Sequence, residues 1–161
     1  MFRALSLYKE KLSLMSRAKQ FMQLMNLYIG ASYTWGAENL EQTDCSGLIC
    51  GTLSLLGNKI RITADGIRRT LAVEDNSIYD EYKVKLIFFV DGKDVAKHVG
   101  VVCDNGLVLH ASSPKGCLYE SEGIVISRYE KRGMKAEVKT LDFSKVDDNT
   151  GTMYDLDDEL I

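Results

Sequence analysis

Residues 44–48 have the sequence DCSGL and open a segment in which apolar side chains recur every three to four residues. This spacing predicts a helix that begins after Thr43 or Asp44, either of which is a favourable N-cap, and ends at Gly57. Cys45 would then lie in the first turn, where unpaired backbone N–H groups and the positive end of the helix dipole favour a thiolate. The stretch therefore predicts a reactive cysteine at a helix start.

Helical spacing also marks the segments on either side of this stretch. Residues 4–29 place apolar side chains every three to four positions, which predicts amphipathic helix. Ser16 is a candidate N-cap that would divide this segment into two helices, and Gly30 is a natural stop. A further short helix is predicted over residues 63–73. The first half of the chain is therefore expected to be mainly helical.

The periodicity changes in the second half of the chain. Short apolar or β-branched runs are separated there by turn residues, a pattern that predicts strands. These runs cover residues 84–90, 97–103, 107–111, 124–127 and 136–141. Helices followed by strands indicate an α+β fold, with N-terminal helices packed on one face of an antiparallel sheet of about five or six strands.

Length and composition exclude several classes of protein. The chain has 161 residues, of which 45% are hydrophobic and 27% charged, and this suits one globular domain. It contains no run of about 18 apolar residues, so no membrane span is predicted. The net charge of −3 gives no general attraction to nucleic acid. The four cysteines are expected to be free thiols, because the chain is neither short nor visibly secreted.

Acidic residues are concentrated near the end of the chain. Residues 141–161 contain seven acidic residues and one lysine, and residues 147–161 are expected to form an acidic, loosely held tail. Residues 1–15 are predicted to be an N-terminal helical arm, and residues 16–146 the main domain. The first eight residues lack the uninterrupted apolar stretch of a secretion signal, so synthesis in the cytoplasm is expected.

The chain has two histidines, His98 and His110, and both lie in the strand-rich half. A thiol nucleophile needs a base that accepts its proton and a third group that orients the base. Cys45 at a helix start and a histidine on a facing sheet would meet this need. Backbone N–H groups at the same helix start would stabilise an oxyanion. The residues therefore indicate nucleophilic catalysis by Cys45.

The hairpin between the two histidines decides whether they can meet. A two-residue loop at Asn105 and Gly106 would pair residues whose numbers sum to 211, and the histidines would then face opposite sides of the sheet. A three-residue loop with Gly106 in the left-handed conformation would give a sum of 210. His110 would then lie opposite Gly100, on the face of His98 and diagonally next to it. Catalysis through both histidines requires the second register.

Five motifs together resemble the NlpC/p60 family of papain-like cell-wall peptidases. Their order and spacing agree with that family over most of the chain. The motifs are residues 33–36 (YTWG), 44–48 (DCSGL), 98–102 (HVGVV), 105–106 (NG) and 110–111 (HA). The resemblance implies a papain-like fold. It also implies hydrolysis of amide bonds in peptidoglycan stem peptides, typically between D-glutamate and the diamino acid.

The resemblance also implies roles for individual residues. Cys45 would be the nucleophile, His98 the base and His110 the group that orients His98, and an acyl-enzyme would form on Cys45. Beside them, Tyr33 would lie next to the nucleophile, and Asp44 and Ser46 would line the substrate groove. No metal and no organic cofactor are expected. Related domains without a secretion signal include phage-tail and prophage lytic proteins, so delivery to the wall by a phage tail, by lysis or by another export route is an expectation.

Other interpretations of the same residues remain open at this point. Cys45 could be a small buried apolar residue. Cys103, His110 and Cys117 are spaced by seven and could form a zinc site. The methionine-rich N-terminal helix could bind a protein partner rather than pack into the core. The domain could also be an amidase or acyltransferase with the same triad, or a catalytically silent phage-tail or assembly module.

Overall fold

The computed structural model describes residues 3–4, 16–75 and 83–153. Helix α1 (Arg17–Leu24) continues into a 3-10 turn, Met25–Tyr28. Ser16 is the N-cap of α1, and its hydroxyl accepts a hydrogen bond of 3.2 Å from the backbone N–H of Lys19. The predicted N-cap at Ser16 is therefore confirmed. Most of the predicted arm over residues 1–15 lies outside the described residues.

Two further helices follow where the apolar spacing predicted them. Helix α2 (Cys45–Leu55) is capped by Asp44, and helix α3 (Ala64–Thr70) by Thr63, each side chain accepting from the backbone N–H three residues on. The second prediction extended too far. Val73 was expected in a helix, but it lies in strand β3 (Ala72–Glu74), which the structure pairs with the last strand of the sheet.

Five more strands join β3 in the main sheet: β4 (Lys85–Val90), β5 (Ala96–Val102), β6 (Leu107–Ser112), β7 (Gly116–Ser121) and β8 (Lys135–Leu141). Over the described part of the chain, this sheet therefore has six strands, in the order β3-β8-β4-β5-β6-β7, and every neighbouring pair is antiparallel. A small parallel pair, β1 (Ser32–Tyr33) and β2 (Gln42–Thr43), precedes α2. The α+β class and the predicted number of strands are confirmed.

Helices cover both faces of the sheet, not one face as predicted. Strand β4 is apolar on both sides: Leu86 and Phe88 pack in the core beneath α1, α2 and α3, whereas Ile87 and Phe89 pack in a second cluster. Helix α4 (Glu122–Glu130) covers this second cluster. The prediction of a strand over residues 124–127 was therefore wrong. A short apolar run is compatible with a strand and with one face of a helix, so the spacing of its apolar residues does not distinguish the two structures.

The start of the predicted acidic tail is attached to the body of the domain. Helix α5 (Phe143–Asp148) contains Asp147, whose carboxylate lies 2.9 Å from the guanidinium of Arg17. Backbone hydrogen bonds join Gly151 to Lys59 at 2.6 Å and Arg61 to Thr152 at 2.9 Å. The expectation of a loosely held segment therefore fails for residues 147–153, and residues 154–161 lie outside the described part. Within the described residues, no helix is long and apolar enough to span a membrane.

Candidate active site

Cys45 occupies the first turn of α2 and borders a surface cleft of about 550 Å³. The residue is only 8% exposed. Tyr33, which was predicted to lie next to the nucleophile, contributes to the wall of this cleft, and so do Asp44 and Ser46, which were predicted to line the substrate groove. The other lining residues are Trp35, Thr63, Ala64, Asp65, Val95, Ala96 and Lys97.

The Asp44 carboxylate organises the start of α2. It accepts hydrogen bonds from the backbone N–H groups of Gly47 at 2.6 Å and Gly36 at 2.7 Å. The guanidinium of Arg61 bonds both carboxylate oxygens, at 2.9 and 3.0 Å, and both side chains of this ion pair are buried. Asp44 therefore has a structural task in addition to its predicted place in the groove, because it caps the helix and neutralises a buried arginine.

The next two residues of the motif are constrained by the same cluster. The Ser46 hydroxyl donates to Asp44 at 3.2 Å and accepts from Arg61 at 2.9 Å. A Cβ atom at Gly47 would collide with the carbonyl oxygen of Ala37, which also accepts from the backbone N–H of Asp44. The aspartate, serine and glycine around Cys45 therefore fix the position of the helix start as one packed unit.

The two histidines meet across β5 and β6. Val101 pairs with Leu109 and Val102 with Val108, so paired residue numbers sum to 210, as the three-residue loop predicted. The Nε2 atom of His98 lies 2.7 Å from the Nδ1 atom of His110. One detail of the turn differs from the prediction, because Asn105 and Gly106 both adopt positive φ, at 68° and 69°.

His110 also bonds a carboxylate that the sequence analysis did not identify. Its Nε2 atom lies 2.9 Å from Glu120 on β7, and both oxygens of Glu120 accept from Arg128 of α4, at 3.0 and 2.7 Å. The next residue of α4, Tyr129, stacks on the ring of His98 with a centroid separation of 4.8 Å. These three residues were missed because recognising them required the position of β7 and the helical conformation of residues 122–130.

Both histidines are buried, with 4% exposure for His98 and none for His110. Burial lowers the pKa of His98 well below its ordinary value, and the neighbouring His110 adds to this effect. Burial also lowers the pKa of His110, although the hydrogen bond to Glu120 opposes the change. A low pKa favours the neutral imidazole. Both rings are therefore neutral at neutral pH.

The surroundings of Cys45 oppose the predicted thiolate. Burial, with a smaller contribution from the Asp44 carboxylate, raises the pKa of the Cys45 thiol to about 12. Hydrogen bonds from the backbone N–H groups of Val99 and Ser46 act in the opposite direction but are outweighed. The side chains of Cys45 and His98, both of which the structure describes, form no hydrogen bond with each other. These surroundings favour a neutral thiol and a neutral histidine pair in the resting site.

The zinc site considered as an alternative is wrong. His110 faces the side of the sheet that carries Glu120 and α4. Cys117 pairs with Ala111 and packs in the core on the other face, and Cys103 packs against that same core. The sheet therefore separates the two thiols from the imidazole, and the three side chains cannot bind one ion.

Comparison with known proteins identifies the family. The family model described as the NlpC/P60 family matches residues 30–141, which are 112 of the 161 residues. The chain belongs to the NlpC/P60 family. No curated protein matches this NlpC/P60 chain at a significant level.

Solved structures agree with the family assignment at the level of the fold. NlpC1 from Trichomonas vaginalis matches with a TM-score of 0.57 and 23% identity over 79% of this chain and 44% of that one. The peptidoglycan hydrolase RipB from Mycobacterium tuberculosis matches with a TM-score of 0.55 and 21% identity, over 80% and 69% of the two chains. RipD from the same organism, described as a non-catalytic NlpC/p60 domain protein, matches with a TM-score of 0.55 and 14% identity, over 80% and 98%.

The NlpC/P60 chain spans less than half the length of the Trichomonas structure, so it corresponds to one part of that protein. At these levels of identity the similarity supports the fold alone. The predicted papain-like α+β architecture is confirmed.

Proposed function

We propose that this NlpC/P60 domain is a thiol hydrolase that cleaves amide bonds in peptidoglycan stem peptides, with Cys45 as nucleophile, His98 as base and His110 as the residue that orients His98. The observation that carries the proposal is the position of Cys45 at the start of α2 and on the wall of the cleft, while the backbone of β5 beside His98 contacts its thiol. A nucleophile at a helix start and an oriented histidine pair are the elements that acyl transfer requires.

The mechanism starts from a neutral thiol and a neutral imidazole. When the substrate is bound, the Sγ proton of Cys45 passes to Nδ1 of His98, and the sulfur forms a bond to the amide carbonyl carbon. Backbone N–H groups at the start of α2 stabilise the oxyanion. The amide C–N bond then breaks, and the leaving amine takes the proton from the His98 imidazolium. Water, deprotonated by His98, hydrolyses the resulting thioester and restores the thiol.

The proposed substrate is the bond between D-glutamate and the diamino acid of the stem peptide. Stem peptides carry free carboxylates next to this bond, and the exposed ammonium of Lys97 on the cleft wall gives these carboxylates a cationic partner. The other charged groups of the wall, Asp44 and Asp65, are already paired with arginines. An amidase or acyltransferase reaction on another amide would use the same three residues.

A second candidate function is a catalytically silent binding module. Two observations favour it: the pKa of the Cys45 thiol is raised to about 12, and RipD is described as adapted to peptidoglycan binding without catalysis. In that case the cleft would hold a stem peptide without cleaving it. The two candidates share the cleft and differ only in whether Cys45 reacts.

Defined muropeptides distinguish these candidates. The wild type is incubated with stem tripeptides and tetrapeptides, with and without the sugar, and the products are measured by mass. Release of the diamino acid segment supports the endopeptidase, whereas release of the whole stem from the sugar supports an amidase. If every muropeptide stays intact but one of them binds, the silent module is correct. A panel that is neither cleaved nor bound would contradict both candidates.

A further inference from the structure

Glu120 is joined to the two histidines by an uninterrupted row of hydrogen bonds. The row runs over three adjacent strands, from His98 on β5 to His110 on β6 at 2.7 Å and from His110 to Glu120 on β7 at 2.9 Å. Glu120 pairs with Val108 in the sheet, so it lies diagonally next to His110 on the same face. Of the three proposed catalytic residues, the two histidines belong to this row and Cys45 does not.

The charge state of Glu120 is defined by its neighbours. Arg128 holds both carboxylate oxygens, and the ammonium of Lys115 lies 3.5 Å from one of them. The hydrogen bonds from Arg128, and to a smaller extent that from His110, lower the pKa of Glu120 to about 2. Glu120 is therefore ionised at neutral pH, and an ionised carboxylate only accepts hydrogen bonds.

This restriction determines the positions of the protons along the row. Because Glu120 can only accept, Nε2 of His110 must carry a proton, and Nδ1 of the neutral His110 ring must be a lone pair. That lone pair accepts from His98, so Nε2 of His98 also carries a proton. The remaining nitrogen of His98, Nδ1, is then the one with a free lone pair. Each tautomer follows from the one before it.

We propose that Glu120 is a positioning residue of the active site: it sets the order of protons in the histidine pair so that Nδ1 of His98 is left as the base for Cys45. The inference rests on the proposed function, because only a reacting Cys45 needs a base with a defined tautomer. Glu120 acts through His110 and does not touch the substrate. When His98 accepts the thiol proton, no other proton has to move along the row.

Helix α4 supports this arrangement with two consecutive side chains. Arg128 holds Glu120 in place, while the ring of Tyr129 lies nearly parallel to that of His98, with an interplanar angle of 16°. Tyr129 also stacks on Phe89, with centroids 4.5 Å apart. The aromatic rings therefore shield the bond between the two histidines from water, which strengthens it and limits exchange between tautomers.

The direct test is to measure the tautomers by nitrogen NMR of the full chain, in which His98 and His110 are the only histidines. At pH 7.5 both rings of the wild type are expected in the form protonated at Nε2. In Glu120→Gln a single side-chain oxygen remains, and Arg128 competes with His110 for it. The amide NH₂ then faces His110 and requires a lone pair at its Nε2, so both rings shift toward the form protonated at Nδ1. Glu130→Gln, on the exposed side of the same helix, is the control and should match the wild type.

Kinetics provide the second readout. With a stem peptide that the wild type cleaves, Glu120→Gln should lower kcat by about 100-fold and leave KM within about 2-fold, since only the proton transfer is affected. A wild-type His110 protonated at Nδ1, or unchanged tautomers in Glu120→Gln, would overturn the proposal, and the first of these results requires no variant to fold. If the wild type has the expected tautomers but cleaves no stem peptide, the proton order stands and the proposed function is what fails.

Discussion

The Nε2 atom of His98 lies 2.7 Å from the Nδ1 atom of His110, although the two residues are not paired in the sheet. In the register of β5 and β6, the position opposite His110 belongs to Gly100. A Cβ atom at Gly100 would lie 3.1 Å from Cβ of His110 and 2.6 Å from a methyl group of Val108. The missing side chain at Gly100 therefore leaves the space in which the two imidazoles approach each other diagonally.

Gly100→Ala should consequently damage both the packing and the histidine pair. We expect the free energy of unfolding to fall by about 1–3 kcal/mol, which is the usual cost of overpacking a core. Hydrolysis should fall with it, because His110 is displaced. Urea unfolding and the rate of muropeptide cleavage measure the two effects. Gly92→Ala is the control, since a Cβ atom there meets open space. Equal free energies of unfolding for Gly100→Ala and Gly92→Ala would contradict this prediction, because β6 would then make room for the added methyl group without loss of stability.

Asp44 provides a separate prediction about stability. Asp44→Ala would remove the carboxylate that holds the buried guanidinium of Arg61 through two hydrogen bonds, and it would leave the start of α2 without its cap. Because the buried charge loses its closest carboxylate and that of Glu38 lies farther away, at 3.7 Å, we expect a loss of about 3 kcal/mol in the free energy of unfolding, at the lower end of the cost of breaking a buried ion pair. The control is Asp147→Ala, which removes the exposed ion pair with Arg17 and should change stability little. A similar small loss in both variants would mean that water reaches Arg61.

The two histidines should also make stability depend on pH. Their pKa values in the folded chain are below the ordinary value of 6.5, so the unfolded chain binds protons at a pH at which the folded chain does not. Stability is therefore complete above about pH 6.5 and falls as the pH is lowered below it. We expect a lower free energy of unfolding at pH 5.5 than at pH 7.5, while the imidazole proton signals of the folded chain stay at their neutral positions. Imidazoles that titrate near pH 6.5 with unchanged stability would contradict this account.

The parts of the fold that could be predicted from the sequence are those that depend only on interactions between residues close together in the chain. Ser16 was recognisable as a candidate cap, and so was Asp44 as one of two candidates, and each caps a helix in the structure. The register between the histidines followed from the alternation of side chains once a loop length was assumed. In these cases the residues that decide the structure are close together in the sequence.

The remaining features depend on contacts between distant segments. Residues 124–127 are apolar enough for a strand, and only their packing over Ile87 and Phe89 on β4 makes them part of α4. Glu120 carries no motif, because its function depends on β7 lying next to β6. The position of Cys45 in the helix was predicted correctly, whereas its burial, which raises the pKa of the thiol, depends on distant segments and was not predicted.

The raised pKa of Cys45 leads to a prediction about alkylation. The pKa of the Cys45 thiol is about 12, so at any lower pH the fraction present as thiolate rises about tenfold for each unit by which the pH is raised. The rate at which iodoacetamide labels Cys45 should therefore be low at pH 7 and rise steadily to pH 9, and half-buried Cys103 should be labelled first. Mass spectrometry of peptides, with Cys45→Ala as the control, measures both rates. Labelling of Cys45 that is already maximal at pH 6 would instead demonstrate a resting thiolate paired with His98.

We propose above all that Cys45 attacks the bond between D-glutamate and the diamino acid. The most direct measurement compares the wild type, Cys45→Ala and Cys103→Ala on one defined stem tetrapeptide, with product masses recorded over time. We expect the wild type and Cys103→Ala to release the diamino acid segment, and Cys45→Ala to release none above the uncatalysed rate. An intact peptide with the wild type, or equal cleavage by Cys45→Ala, would contradict the claim.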